Sequence, residues 1–91
     1  MCRNIKTLFN YDPPATDEEI RASAIQFVRK LSGFTKPSKI NEVVFESAVQ
    51  KIEVIARELI DSLVTSTPPR NREEEAQKAK LRSMKRFQNQ N

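Results

Sequence analysis

NEVVFESAVQKIEVIARELIDSL, residues 41–63, decides the fold. Read at the helical period, Val44, Phe45, Ala48, Val49, Ile52, Ile55, Ala56, Leu59, Ile60 and Leu63 recur at spacings of three and four. That pattern gives one broad apolar face lasting about five turns. The remaining positions carry Glu42, Glu46, Lys51, Glu53, Arg57, Glu58 and Asp61, a mixed-sign surface suited to water. A face this wide must be buried against a neighbour, so this helix is the main contributor to the core. Its start is open among Pro37 as a first-turn proline, Ser38 as a capping hydroxyl, and Asn41. Its end is set by Thr65-Ser66-Thr67-Pro68-Pro69, because proline donates no backbone hydrogen bond and disfavours helix in the residue before it.

Upstream, Thr16-Asp17-Glu18-Glu19 reads as a capping box, in which the Thr16 side chain and the Glu19 amide, and the Glu19 side chain and the Thr16 amide, satisfy each other. Pro13 and Pro14 fix the approach. Ile20, Ala24, Phe27, Val28 and Leu31 then repeat at spacings of three and four, with Arg21, Gln26, Arg29 and Lys30 on the other side. Gly33 is the single glycine in the chain, and a left-handed residue after a helix favours glycine, so the reading is a helix over 17–32.

Downstream of the prolines, Asn71 to Glu74 is a second candidate capping box. Glu73-Glu74-Glu75 precede Lys78, Lys80, Arg82, Lys85 and Arg86, the order the helix macrodipole favours, so a basic helix is expected over 71–87. Its apolar residues, Ala76, Ala79, Leu81, Met84 and Phe87, make no single stripe, which predicts partial docking. The opening residues Ile5, Leu8, Phe9 and Tyr11 fit either an extended strip or a single turn. With no second strand evident, no sheet is expected.

The fold class is therefore all-α: a small helical hairpin of two amphipathic helices, the second long, with an ordered N-terminal segment and a third, basic C-terminal helix. Ninety-one residues make one small domain, 1–91, with its core at about 5–65 and a hinge at Pro68-Pro69. Two helices joined by a short loop cover each other's stripes. The extra length of the second needs further cover from the opening segment, the third helix or a second copy of the chain. Cover from within is favoured, since the excess is only a couple of turns.

The longest apolar runs, Val43-Val44-Phe45 and Val54-Ile55-Ala56, fall far short of a membrane span. Met1 to Lys6 has charge but no following apolar stretch of signal-peptide length, so the expected location is cytoplasmic. Cys2 is the only cysteine and there is no histidine. An internal disulfide, the usual zinc sites and the Ser-His or Cys-His nucleophile pairs are thereby removed. No metal or cofactor is expected, and catalysis is disfavoured.

Met1-Cys2-Arg3-Asn4-Ile5-Lys6, Pro13-Pro14-Ala15-Thr16, and Gln26-Phe27-Val28-Arg29-Lys30 followed by Ser32-Gly33-Phe34 resemble a family of short bacterial proteins catalogued as a domain of unknown function, DUF2277. Lys36-Pro37-Ser38, Asn41, Phe45, Ala48-Val49, Leu63-Val64-Thr65 and Pro68-Pro69 extend the likeness over roughly residues 1–70. The resemblance implies a bacterial source, a stand-alone small protein and no established activity. No catalytic or binding residue is carried over from it.

Four candidate sites come from the residues themselves. Cys2, with Arg3 and Lys6 near it to favour the thiolate, is a candidate reactive thiol for sensing, metal capture or catalysis, against the reading of an idle terminal thiol. Lys36, Ser38 and Lys39 gather where a helix begins and can bind an anion, though capping by Ser38 and solvation of the lysines is the favoured account, since one glycine is too few for a phosphate-cradling loop. Lys78, Lys80, Arg82, Lys85 and Arg86 lie in a segment, residues 67–91, of net charge +4, and can neutralise nucleic-acid phosphates. Glu73 to Glu75 offset part of that field. The fourth is an apolar interface with another protein or a second copy. The preferred function is a non-enzymatic protein-interaction module; weak, sequence-independent nucleic-acid binding through the basic helix is the alternative, and a Cys2 sensor or enzyme ranks last.

Overall fold

The computed structural model describes residues 5–88, with side chains described as far as Lys85. A two-residue strand β1, Tyr11–Asp12, leads into helix α1, Asp17–Ser32. A single 3-10 turn at Lys39–Asn41 opens helix α2, Glu42–Ser62. A second short strand, β2, Arg70–Asn71, precedes helix α3, Arg72–Gln88. The hairpin and the third helix are as the sequence predicts.

The caps explain the boundaries. The Thr16 hydroxyl accepts from the Glu19 amide at 3.2 Å and the Glu19 carboxylate accepts from the Thr16 amide at 3.0 Å, so both halves of the capping box form. Gly33 closes α1 at φ 76°, in the left-handed region, and its amide donates to the Arg29 carbonyl. Among the three candidate starts of α2, Asn41 is the capping position. Its side chain makes no capping bond there and instead donates to the Ser38 hydroxyl at 2.8 Å. Ser38 caps the 3-10 turn through its backbone, its carbonyl accepting from the Asn41 amide. Asn71 caps α3 by accepting from the Glu74 amide at 3.0 Å.

The expectation of no sheet is corrected: β1 and β2 pair in parallel, Tyr11 with Arg70 and Asp12 with Asn71. No alternation exists to find because each strand is two residues long, and side chains rather than strand propensity hold the pair. Asn10 adopts φ 65°, which asparagine tolerates better than most residues. Its side-chain amide nitrogen donates to the carbonyls of Thr67 and Pro68, both at 3.2 Å, and the Asn10 backbone carbonyl accepts from the Arg70 amide at 2.8 Å. The Pro68-Pro69 segment is thus tied back onto the opening of the chain.

The core is small. Ala24, Val28 and Val49 form its buried centre, with Ile25, Phe45, Ala48 and Ile52 packed around it. Ile20 and Val49 are the largest fully buried side chains. The described chain is a slab of 46 × 40 × 18 Å with a radius of gyration of 16.4 Å, against about 12 Å for a compact domain of this length. No helix among the described residues is long and apolar enough to cross a membrane.

Cover from within the chain is partial. Ile5 and Leu8 do reach the seam between α1 and α2, near Ile20, Phe27 and Ala56, and α3 beyond Arg72 is exposed along nearly all its described length. The uncovered part of α2 is nevertheless a flank running most of its length rather than an overhanging end. The apolar face is wider than one neighbouring helix can cover, so width decides the exposure.

Candidate functional site

The two sides of the α1–α2 hairpin differ in chemistry. On one side Arg21 donates to Glu46 at 2.6 Å and to Glu53 at 3.3 Å. Farther along, Arg57 donates to Asp17 at 2.7 Å, to Asp61 at 3.2 Å and to the Ala15 carbonyl at 3.2 Å. These partners sit at successive turns of two antiparallel helices, so each arginine staples the helices together. Ion pairs with partners half in water, as here, set register more than they add stability.

A third arginine fastens α3. Arg72 donates through both terminal nitrogens to the Glu19 carboxylate, at 2.8 and 2.9 Å, and through Nε to the Pro13 carbonyl at 2.7 Å. Its guanidinium carbon lies 5.5 Å from the centre of the Tyr11 ring, and that of Arg70 lies 5.8 Å from it. The Arg72 bonds, joined by the Thr16 amide, hold the Glu19 carboxyl well below its ordinary value, at about 2. Sequence reading found Glu19 as a cap and missed Arg72. A signal existed, since a cation at the positive end of a helix is unfavourable without another partner.

The other side of the hairpin is apolar and open. Near the interhelix loop, Val28, Leu31 and Phe34 face Val44, Phe45, Ala48 and Ile52 across a groove of about 320 Å³. A second groove of about 260 Å³, bordered by Ile5, Leu8, Ile20, Phe27 and Ala56, also includes Ile52. The shared Ile52 sets the two end to end along one side of the seam. Beside them the α2 flank stays in solvent: Val44 is 71% exposed, Ile55 65%, Leu59 57% and Leu63 45%, with Leu31 of α1 at 72%. Soluble domains seldom leave so continuous an apolar strip uncovered without a partner for it. Leu31 and Phe27, read from the sequence as part of the apolar face of α1, belong to this open surface.

The other predicted residues fall as follows. Cys2 lies outside the described residues. Lys36, Ser38 and Lys39 are all exposed on the turn between α1 and α2, where the Ser38 hydroxyl is engaged by Asn41. Lys78, Lys80, Arg82 and Lys85 are exposed along α3. At helical spacing Lys78, Arg82 and Lys85 share a face and Lys80 turns away from it. Lys78 lies 3.7 Å from Glu75, and the Arg86 side chain is outside the described residues.

No curated protein and no solved structure matches the chain. A family model described as an uncharacterized conserved protein matches residues 1–78. That span covers the hairpin, the β1–β2 pair and the start of α3, so the chain belongs to the DUF2277 family.

Proposed function

We propose that this protein is a non-enzymatic helical interaction module that binds another polypeptide along the open side of the α1–α2 seam. The observation that carries the reading is the uncovered strip of Val44, Ile55, Leu59 and Leu63 beside a groove ending in Leu31 and Phe34. A helix laid there would bury apolar surface on both sides of the seam, which is how amphipathic helices engage grooves. The opposite side, stapled by Arg21 and Arg57, keeps the groove walls in register. The proposed setting is the bacterial cytosol, supported by the resemblance and by sparse cysteine.

Site-specific photo-crosslinking in the full-length chain tests this. Crosslinkers at Val44 and Ile55 should form protein adducts, and a crosslinker at Gln50, on the outward side of α2, should form few. Equal yields at all three positions would defeat the interaction reading.

The nucleic-acid reading retains one specific support, the shared face of Lys78, Arg82 and Lys85 on an exposed helix. Binding of this kind must weaken steeply with salt and disappear on truncation after Pro69. Retention of a nucleic acid by the truncated chain, or binding indifferent to salt, would remove it.

A further inference from the structure

The apolar strip on α2, in which Val44, Ile55, Leu59 and Leu63 are exposed and Ala48 and Ile52 are half-buried beside the core, has an internal symmetry. Val44, Ala48, Ile52, Ile55, Leu59 and Leu63 follow one another at intervals of four, four, three, four and four residues. The series reads the same in either direction. A two-fold axis perpendicular to an antiparallel helix pair requires this property, because each contact is then made twice by exchanged residues. Centred between Ile52 and Ile55, such an axis sets Val44 against Leu63, Ala48 against Leu59 and Ile52 against Ile55 of a second copy. Every apolar residue of the strip thus meets an apolar partner.

We propose that the open side of the hairpin is occupied by a second copy of this chain, packed through α2 in antiparallel, two-fold register. This rests on the interaction reading above and names its partner. A further observation, charge, supports the second copy. On the border of the strip away from α1 stand Lys51 and Glu58, both exposed. The same axis puts Lys51 of one copy about 3 Å along the helix direction from Glu58 of the other. Two rim ion pairs follow from one operator. On the seam side of the strip, Leu31 and Phe34 extend the apolar contact.

The experiment measures mass in solution and register in the full-length chain, with Cys2→Ser as the background for labelling. The expected mass at high micromolar concentration is twice that of the chain. The double variant Ile55→Glu, Leu59→Glu should reduce it to that of a single chain. Val43→Glu with Val54→Glu, on the outward side of α2, should leave it doubled. Spin labels at Lys51→Cys should lie about 8 Å apart along the helix direction and those at Ser62→Cys about 26 Å. A parallel pairing would give equal separations at the two positions. A single-chain mass for the unmodified protein, a doubled mass that survives the Ile55 and Leu59 changes, or equal label separations would each overturn the proposal. A single-chain mass leaves the interaction reading to the crosslinking result, so the two fail separately.

Discussion

Arg72 and Glu19 are separated by 53 positions in the chain, yet the guanidinium donates to both carboxylate oxygens, at 2.8 and 2.9 Å. Glu19 also completes the cap of α1 by accepting from the Thr16 amide. One carboxylate therefore serves the start of α1 and the anchorage of α3.

Arg72→Ala should release α3 while leaving the hairpin folded. The measurement is amide hydrogen exchange: protection should fall through α3 and at the β1–β2 pair and stay unchanged at Val28 and Val49. Glu19→Gln should loosen the start of α1 as well, because the cap shares that carboxylate. Equal protection of α3 in the Arg72 variant and the unmodified chain would show that the latch does not hold it.

Acid should act through the same residue. Its carboxyl sits at about 2 in the folded chain, against an ordinary value of 4.5. A depressed folded value means that the Glu19 contribution is complete above 4.5 and is lost as pH falls from there toward 2. Urea unfolding between pH 5 and about 2.5 should show a declining midpoint, and the decline should be shallower in Glu19→Gln.

Gly33→Ala should destabilise by about 1 kcal/mol, read from the urea midpoint at constant slope. Its added methyl would meet nothing within 4 Å, so the cost comes from the left-handed φ of 76° alone. Gly33→Asn should cost less, since asparagine tolerates that region better than alanine.

Ile20→Ala should cost about 2–5 kcal/mol, a large part of the stability of a small domain. Among the described residues, Ile20 is one of two large side chains that are fully buried, and little else is available to refill its space. Val64→Ser should stay within about 0.5 kcal/mol, because Val64 lies almost wholly in solvent. Thermal unfolding followed by circular dichroism distinguishes the two.

Much of this was legible from local sequence. Thr16, Glu19 and Gly33 fix both ends of α1 within a few residues of themselves, and Pro68-Pro69 limits α2. The apolar period of 44–63 required a helix before any neighbour was known. The β1–β2 pair was not legible, because its side-chain support comes from Asn10 and Arg72, residues that read alone as a turn former and a surface cation. Leu31 and Phe27 were legible as apolar and not as exposed, since periodicity shows which residues share a face and not whether a neighbour reaches it.

The sequence by itself determined the three helices, both caps of α1, the absence of histidine, and a stripe on α2 too wide to be left bare. Those depend on backbone bonds and side-chain spacing over one or two turns. Only the tertiary structure decided which part of the stripe α1 covers, that α3 is fastened by Arg72 to Glu19 at its first turn, and that the flank from Val44 to Leu63 faces solvent. These are contacts between residues far apart in the chain, fixed by how helices of finite width pack.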